Sequence, residues 1–188
     1  SHRPPYEVLK NKDISYQELL RLHEIEFIVD KYHNSGVFTN SLRYIFTVHY
    51  KSYFKFFEDF SRYYTKNALN RKSHSRKSLY GIFFNYYQES LKDNGLKDIK
   101  CFREYLKFDL LFYNKNVRLP TWAEKVTLPG FTDMRYKFLD NKANIKKHLN
   151  NYSSLAVKEI LKNVRFEIFN YNVLSGSDKC KNDEKTVI

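Results

Sequence analysis

The segment ISYQELLRLHEIEFIVDKYHNSGVF, residues 14–38, predicts the first helix of this chain and the point where it stops. Ser15 and Glu18 have the spacing of a capping box, in which each side chain accepts a hydrogen bond from the other residue's backbone N–H. Four apolar residues recur at helical spacing and predict the buried face: Leu22, Ile25, Val29 and Tyr32. Gly36 predicts the stop, because glycine adopts the left-handed conformation without strain. The segment therefore predicts an amphipathic helix from about Ser15 to His33.

Helical spacing of apolar residues continues through most of the chain. Further helices are predicted at about residues 39–50, 52–66, 98–113, 132–141, 143–151 and 153–162, with another that begins at Ser75 or Ser78 and ends near Asn94. In the helix at 52–66 the predicted buried side chains are Phe54, Phe57, Phe60, Tyr63 and Tyr64. The helix at 98–113 is apolar on two sides, so it predicts the central helix of a bundle.

The pattern changes near the C-terminus. Val164, Phe166 and Ile168 alternate with other side chains, which is a strand period, and residues 185–188 resemble a second strand. The sequence thus predicts a mainly α fold, a bundle of six to eight helices with a small C-terminal β-hairpin. The predicted organisation is an extended lead-in at residues 1–13, a helical domain at 14–162 and the hairpin at 163–188.

Composition restricts the class of protein. Of 188 residues, 42% are hydrophobic and 18% are aromatic, which is too apolar for a disordered chain. No apolar run is long enough to span a bilayer, and two cysteines cannot build a disulfide framework, so we expect a reducing, cytoplasmic location. The chain begins with serine and its one methionine is Met134. We therefore expect that it is a part of a larger protein.

The net charge of +12 has two interpretations. Lysine outnumbers arginine 23 to 10, which favours generic surface charge, since nucleic-acid readout relies heavily on arginine. Residues 60–88, however, contain no acidic side chain. The candidate anion-binding surface within this stretch consists of six residues: Arg62, Lys66, Arg71, Lys72, Arg76 and Lys77.

Asp109 is the most unusual single residue, because it lies between Phe108 and Leu110 on the most apolar predicted helix. An unpaired buried carboxylate is costly. The structural interpretation is a buried pair with Arg118 that fixes the following loop. The functional interpretation is a carboxylate that faces a substrate cavity.

Motifs of cofactor chemistry are missing from this chain. A radical-SAM cluster needs three closely spaced cysteines, typically CxxxCxxC, and only Cys101 and Cys180 are present. We expect Cys101 to be a small buried hydrophobic residue. No metal-binding spacing, phosphate loop or nucleophile motif occurs, so we predict no catalytic, cofactor-binding or metal site.

Two stretches carry a resemblance to a known family. They are residues 3–38, with RPPYEVL at the start and NSGVF at the end, and FDLLFYNKNVRLPTW at residues 108–122. The chain resembles the helical domain of unknown function that follows the radical-SAM core in bacterial cobalamin-binding-domain radical SAM proteins. The motif residues that carry the resemblance, without a known role, are Tyr6, Glu7, Asn34, Ser35, Gly36, Phe38, Asp109, Pro120 and Trp122.

The resemblance implies a non-catalytic accessory domain that helps to select substrate or to close the core. The upstream radical-SAM core and cobalamin-binding domain would then be its partners. That parent would carry the [4Fe–4S] cluster, S-adenosylmethionine and cobalamin. One alternative is a helical module that binds nucleic acid or another polyanion through residues 60–88, and another is a protein-interaction scaffold with an exposed apolar groove.

Overall fold

The computed structural model describes residues 13–90, 96–114, 116–174 and 186–187. Eight α-helices and one small two-stranded sheet lie in these ranges, so the predicted mainly α fold is confirmed. The chain divides into two compact units, residues 1–90 and 91–188. No helix within the described ranges is both long and apolar enough to cross a membrane. Apart from Asp13, the predicted lead-in lies outside the described residues.

The first unit consists of four α-helices joined by short turns. They are α1 (Tyr16–Val29), continued by a π-helix (Asp30–Asn34), α2 (Thr39–Val48), α3 (Tyr53–Lys66), a 3-10 turn (Leu69–Arg71) and α4 (Arg76–Ser90).

The start of α1 has the predicted capping box. The backbone N–H of Ser15 donates to Glu18 at 2.8 Å, and the N–H of Glu18 donates to the Ser15 hydroxyl at 3.3 Å. The bond from the Ser15 backbone N–H, followed by one that the Ser15 hydroxyl donates at 2.7 Å, lowers the pKa of the Glu18 carboxyl. The buried face differs from the prediction, because α1 packs against α3 through Ile25 and Ile28. Leu22 is 41% exposed and Val29 is half-buried, so the prediction was wrong for these two residues.

Aromatic rings form the core of the first unit. Phe60 on α3 stacks on Tyr86 of α4 with ring centroids 4.2 Å apart, and it lies 4.6 Å from Tyr32 at the end of α1. The prediction that Phe54 is buried was wrong, since Phe54 is 56% exposed while Phe56 is completely buried. The side of α3 that meets α4 therefore passes through Phe56 and Phe60, which are one helical turn apart.

The second unit begins with the long helix α5 (Leu96–Tyr113). It continues with α6 (Phe131–Asp140), α7 (Lys142–His148), a 3-10 turn (Asn150–Tyr152) and α8 (Val157–Asn163). Leu139, Ile145 and Ile160 form a small core among the last three helices. The prediction that α5 is buried on two sides is confirmed by Phe102 and Leu106 on one side and by Cys101 and Tyr105 on the other. At its C-terminal end the prediction was wrong, because Phe112 and Tyr113 are exposed.

The predicted hairpin is present but very short. β1 (Ile168–Phe169) pairs antiparallel with β2 (Thr186–Val187), in a register that places Ile168 opposite Val187. The residues before β1, which were predicted to belong to the strand, form no strand in the structure. Here the Arg165 side chain donates to Glu167 and, at 2.8 Å, to the carbonyl of Val117. These side-chain bonds hold the residues before β1 without a ladder.

Candidate functional site

All six residues of the candidate anion-binding surface are exposed, but they are not equivalent. Arg62 lies 3.6 Å from Glu58, and Lys66 pairs with Glu89 at 3.0 Å. Arg71, Lys72, Arg76 and Lys77 form no ion pair within the part of the chain that the structure describes. Within the candidate anion-binding surface, the positive charges without an ion-pair partner therefore lie in the turn before α4 and in the first turn of α4.

The loop that carries these charges is held in place by local hydrogen bonds. The Asn67 amide donates to the Tyr63 carbonyl at 2.9 Å, and the His74 ring lies 2.8 Å from the Leu69 carbonyl oxygen. Ser75 caps α4 by accepting from the N–H of Ser78 at 3.2 Å. The first turn of α4 thus combines Arg76 and Lys77 with the positive end of the helix dipole, which is an arrangement that favours anions.

The NSGVF motif has a structural role in the turn between α1 and α2. Gly36 adopts a left-handed conformation with φ of +70°. Asn34 donates to Asp30 at 2.6 Å, and the Gly36 carbonyl accepts from the Thr39 hydroxyl at 2.7 Å. Ser35 ends the π-helix. The turn directs the chain back into the aromatic core.

Phe38 occupies the centre of that core. Its ring is completely buried and lies 4.4 Å from the ring of Tyr80 and 4.8 Å from that of Tyr32. The Tyr80 hydroxyl also donates to the carbonyl of Val37 at 2.9 Å, which fixes the same segment. Of the other motif residues from the first stretch, Tyr6 and Glu7 lie outside the described residues.

The second motif stretch lies on α5 and the loop that follows it. Asp109 is completely buried, as its position among apolar residues indicates. Arg118 is exposed, and its pairing with Asp109 stays a prediction. The Pro120 carbonyl accepts from the N–H of Ala123 at 3.0 Å, which forms a turn around the half-buried Trp122.

Lys107 is a second buried charged residue on α5, and the sequence pattern did not predict its burial. Its ammonium group is completely buried, donates to the carbonyl of Ile168 at 2.9 Å and pairs with Glu167 at 3.1 Å. It also lies 4.7 Å above the ring of Phe169. Lys107 therefore attaches α5 to β1 by a hydrogen bond, an ion pair and a cation–π contact.

Glu104 lies one turn before Lys107 on the same side of α5. One carboxylate oxygen accepts from the N–H of Asn170 at 2.7 Å, and the other is buried without a hydrogen-bond partner in the described structure. Burial raises the pKa of Glu104, and the bond from Asn170 opposes that shift only in part. Burial, followed by the nearby Glu104 charge, also raises the pKa of Tyr171.

The raised pKa of Glu104 predicts a pH-dependent effect of Glu104→Gln. Glu104 binds its proton more tightly in the folded protein than in the unfolded chain. The protonated side chain therefore stabilises the fold fully below about pH 4.5, and this stabilisation is lost as pH rises through the folded pKa. Glutamine does not titrate, so the variant does not lose stability in this way as pH rises. We expect its free energy of unfolding to rise relative to the parent between about pH 4 and pH 7, measured by urea unfolding.

The control for this effect is Glu24→Gln, which changes an exposed carboxylate on α1 that accepts a hydrogen bond from the Thr65 hydroxyl at 3.1 Å. Its stability relative to the parent should not rise over the same pH range. An equal pH trend for both variants would mean that Glu104 is not the group responsible.

A cavity of about 490 Å³ lies in the second unit, beside the core of α6, α7 and α8. Its wall is mainly apolar and includes Phe131, Phe138, Leu149 and Phe166, while Arg135 is a cationic residue on the same wall. The Nε atom of Arg135 is buried and has no hydrogen-bond partner in the described structure. No sequence pattern indicates this cavity, because its lining residues come from four separate segments.

Cys101 is buried on α5, as predicted, but it is disulfide-bonded, so the expectation of a simple small hydrophobic residue was wrong. Cys180, the second cysteine of the sequence, lies outside the described residues. Within the described ranges, no three His, Cys, Asp or Glu side chains are grouped so that they could hold a metal ion.

Comparison with known proteins identifies a family. Neither a curated protein nor a solved structure matches the chain. The model of a family described as a protein of unknown function, DUF4080, matches residues 1–188, and the chain therefore belongs to that family.

Proposed function

We propose that this chain is a non-catalytic accessory domain of a cobalamin-binding radical SAM enzyme, where it helps to select substrate or to close the core. The observation that carries the proposal is the resemblance of residues 3–38 and 108–122 to the region downstream of the radical-SAM core in such enzymes. The [4Fe–4S] cluster, S-adenosylmethionine and cobalamin would then bind to other parts of the parent protein.

The positions of the motif residues in the fold support the proposal of an accessory domain. Gly36 and Phe38 shape the aromatic core of the first unit, and Asp109 is buried on α5. Gly36 and Phe38 thus build the fold, and the proposal assigns no catalytic role to any of the three. The motifs that carry the resemblance are therefore packing motifs, which is what we expect of a non-catalytic domain.

The cysteine content does not fit a radical-SAM cluster in this domain. Three thiolates hold such a cluster and leave one iron open for S-adenosylmethionine. The chain has two cysteines, and Cys101 is already disulfide-bonded. We therefore assign this domain no part in cluster binding.

An exposed apolar stripe on α1 supports contact with another domain. Tyr16, Leu20 and Phe27 are all exposed and lie within about 40° of one another around the helix axis. A shallow groove of about 330 Å³ between α1 and α3 begins beside Leu20 and Phe27. Grouped apolar side chains at a surface are typical of interaction sites.

The test compares two apolar residues of α1 in the full-length product of the gene. Leu20→Asp changes the stripe, while Leu22→Asp changes an equally exposed leucine about 200° away around the helix. We expect Leu20→Asp to lower turnover of the parent's substrate at least about tenfold while cleavage of S-adenosylmethionine persists. Leu22→Asp should have little effect. Equal effects of the two variants would remove the support that the stripe provides.

The second candidate function is a polyanion-binding module, and the four uncompensated charges near the start of α4 favour it. These charges lie on a turn and one helix end, without the regular arginine-rich helix that base readout needs. We expect RNA to bind weakly, without sequence preference, and to dissociate at moderate salt. Sequence-selective binding at physiological salt would instead promote this function over the first.

Alanine at Arg71, Lys72, Arg76 and Lys77 together should leave the fold intact. All four side chains are exposed and form no ion pair in the described part of the chain, so they contribute little to stability. The thermal unfolding midpoint should change by no more than about 3 °C, and residual RNA binding should disappear. A variant that fails to fold would show that this stretch is structural.

A further inference from the structure

The cavity in the second unit has the size and composition of a small-molecule site. Its volume of about 490 Å³ lies within the range of about 300–1,000 Å³ that is typical of ligand pockets. Phe138, Leu149 and Phe166 lie at the edge of the Leu139–Ile145–Ile160 core and present their outer surfaces to the cavity. The rings of Phe138 and Phe166 meet edge to face at 6.0 Å, which gives this wall a fixed shape.

Arg135 is the one strongly charged residue among the described residues of the cavity wall. Its guanidinium lies 5.3 Å from the ring of Phe131, and it forms no ion pair within the described residues. Its Nε atom is buried without a hydrogen-bond partner there. An arginine N–H that is removed from water and left unbonded costs free energy, which an incoming carboxylate would recover through a charge-assisted hydrogen bond.

The other polar side chain on the described part of the wall is a histidine. His148 lines the cavity and packs against Phe138 with ring centroids 5.9 Å apart. Among the residues that the structure describes, no aspartate or glutamate lines the cavity. An anion is therefore the ligand charge that this cavity accepts, and the apolar wall requires that the rest of the ligand be apolar.

We propose that this cavity binds a small amphiphilic carboxylate, with the carboxylate paired to Arg135 and the apolar body packed on Phe138, Leu149 and Phe166. The site lies entirely within residues 131–174, whereas the α1 stripe belongs to the first unit. The proposal is therefore independent of the accessory role, and either can fail without the other.

Calorimetric titration of the purified chain tests this site with three probes that share one alkyl chain: decanoate, decanol and decyltrimethylammonium. We expect decanoate to bind at least about tenfold more tightly than decanol, because the carboxylate accepts a stronger, charge-assisted hydrogen bond from Arg135 than the hydroxyl group does. The cationic probe should bind least. Equal affinity for decanoate and decanol would overturn the proposal.

Two variants of α6 separate the site from the general positive charge of the protein. Arg135→Gln should weaken decanoate binding at least about tenfold and leave decanol binding unchanged. Lys137→Gln removes one exposed positive charge from the same helix, and decanoate affinity should stay within about twofold of the parent. Equal losses in the two variants would show that decanoate binds through net charge alone, which would overturn the proposal.

A third variant tests the location and guards against unfolding. Leu149→Trp should fill the cavity and abolish binding of decanoate, with the circular dichroism spectrum retained. If Leu149→Trp disturbs the fold, Arg135→Gln decides the result, because it removes a guanidinium that forms no ion pair in the described part of the chain. Wild-type decanoate affinity in Arg135→Gln would overturn the assignment of Arg135 as the anchor.

Discussion

Phe60→Ala should lower the free energy of unfolding by about 3–5 kcal/mol, which is the usual cost of removing a buried phenylalanine ring. Phe60 is completely buried and contacts rings from three parts of the first unit. It stacks on Tyr86 at 4.2 Å and 15°, lies 5.4 Å from Phe83, and lies 4.6 Å from Tyr32. Because rigid rings on the π-helix, α3 and α4 surround Phe60, the cavity left by its removal cannot collapse easily. The loss should appear in urea unfolding followed by circular dichroism.

The matched control is Phe54→Ala on the same helix. Phe54 is 56% exposed, so its removal should change the free energy of unfolding by less than about 1 kcal/mol. The two variants remove the same atoms from α3 and differ only in what surrounds them. Similar losses would contradict the assignment of Phe60 as a central core residue.

Lys107→Met should destabilise the protein by about 3 kcal/mol, even though methionine is the more apolar residue. Breaking a buried ion pair leaves an uncompensated charge, which costs about 3–5 kcal/mol. Here Glu167 keeps its bond to Arg165 at 3.0 Å, so the cost lies at the lower end. The carbonyl of Ile168 also loses its donor. Trp122 is the one tryptophan and belongs to the same unit, so its fluorescence is the natural probe of this transition.

Lys100→Met on α5 provides the comparison. Lys100 is exposed, and its replacement should change stability by no more than about 0.5 kcal/mol. A loss below about 1 kcal/mol for Lys107→Met would mean that the ion pair does not attach α5 to β1 as the structure indicates.

Local signals explain why the helices could be predicted from the sequence. The capping box of Ser15 and Glu18 depends on residues three apart, and the stop at Gly36 depends on one backbone conformation. Such features are complete within one turn of chain. Burial of a particular ring is different. Phe54 and Phe56 are chemically identical and two residues apart. Only packing against rings of α2 and α4 decides that Phe56 is the buried one.

The polar contacts of α5 could not be predicted for the same physical reason. Lys107 and Glu104 have the appearance of solvated helix residues, yet their partners, Ile168 and Asn170, lie more than sixty positions away. Apolar neighbours indicated that Asp109 is buried. Lys107 is flanked in the same way, by Leu106 and Phe108. A lysine in an apolar context is usually explained by a long side chain that reaches water. In this helix it reaches a carbonyl and a carboxylate instead.

The cavity was also beyond sequence patterns. Its lining combines residues from α6, α7, the segment before β1 and the segment after it. Arg135 is one of several basic residues in this region, and its sequence position does not distinguish it from Lys137. The distinction arises from the buried Nε atom and the contact with Phe131.

The measurement that tests the proposed accessory role most directly compares three proteins under anaerobic conditions: the full-length product of the gene, the same product without this domain, and this domain alone. The proposal predicts about four iron and four sulfide per chain in the first two, with cleavage of S-adenosylmethionine, and neither in the third. It further predicts that loss of the domain abolishes substrate turnover while the cluster and cleavage persist. A full-length product that binds no cluster, or one whose turnover survives removal of the domain, would contradict the proposed function.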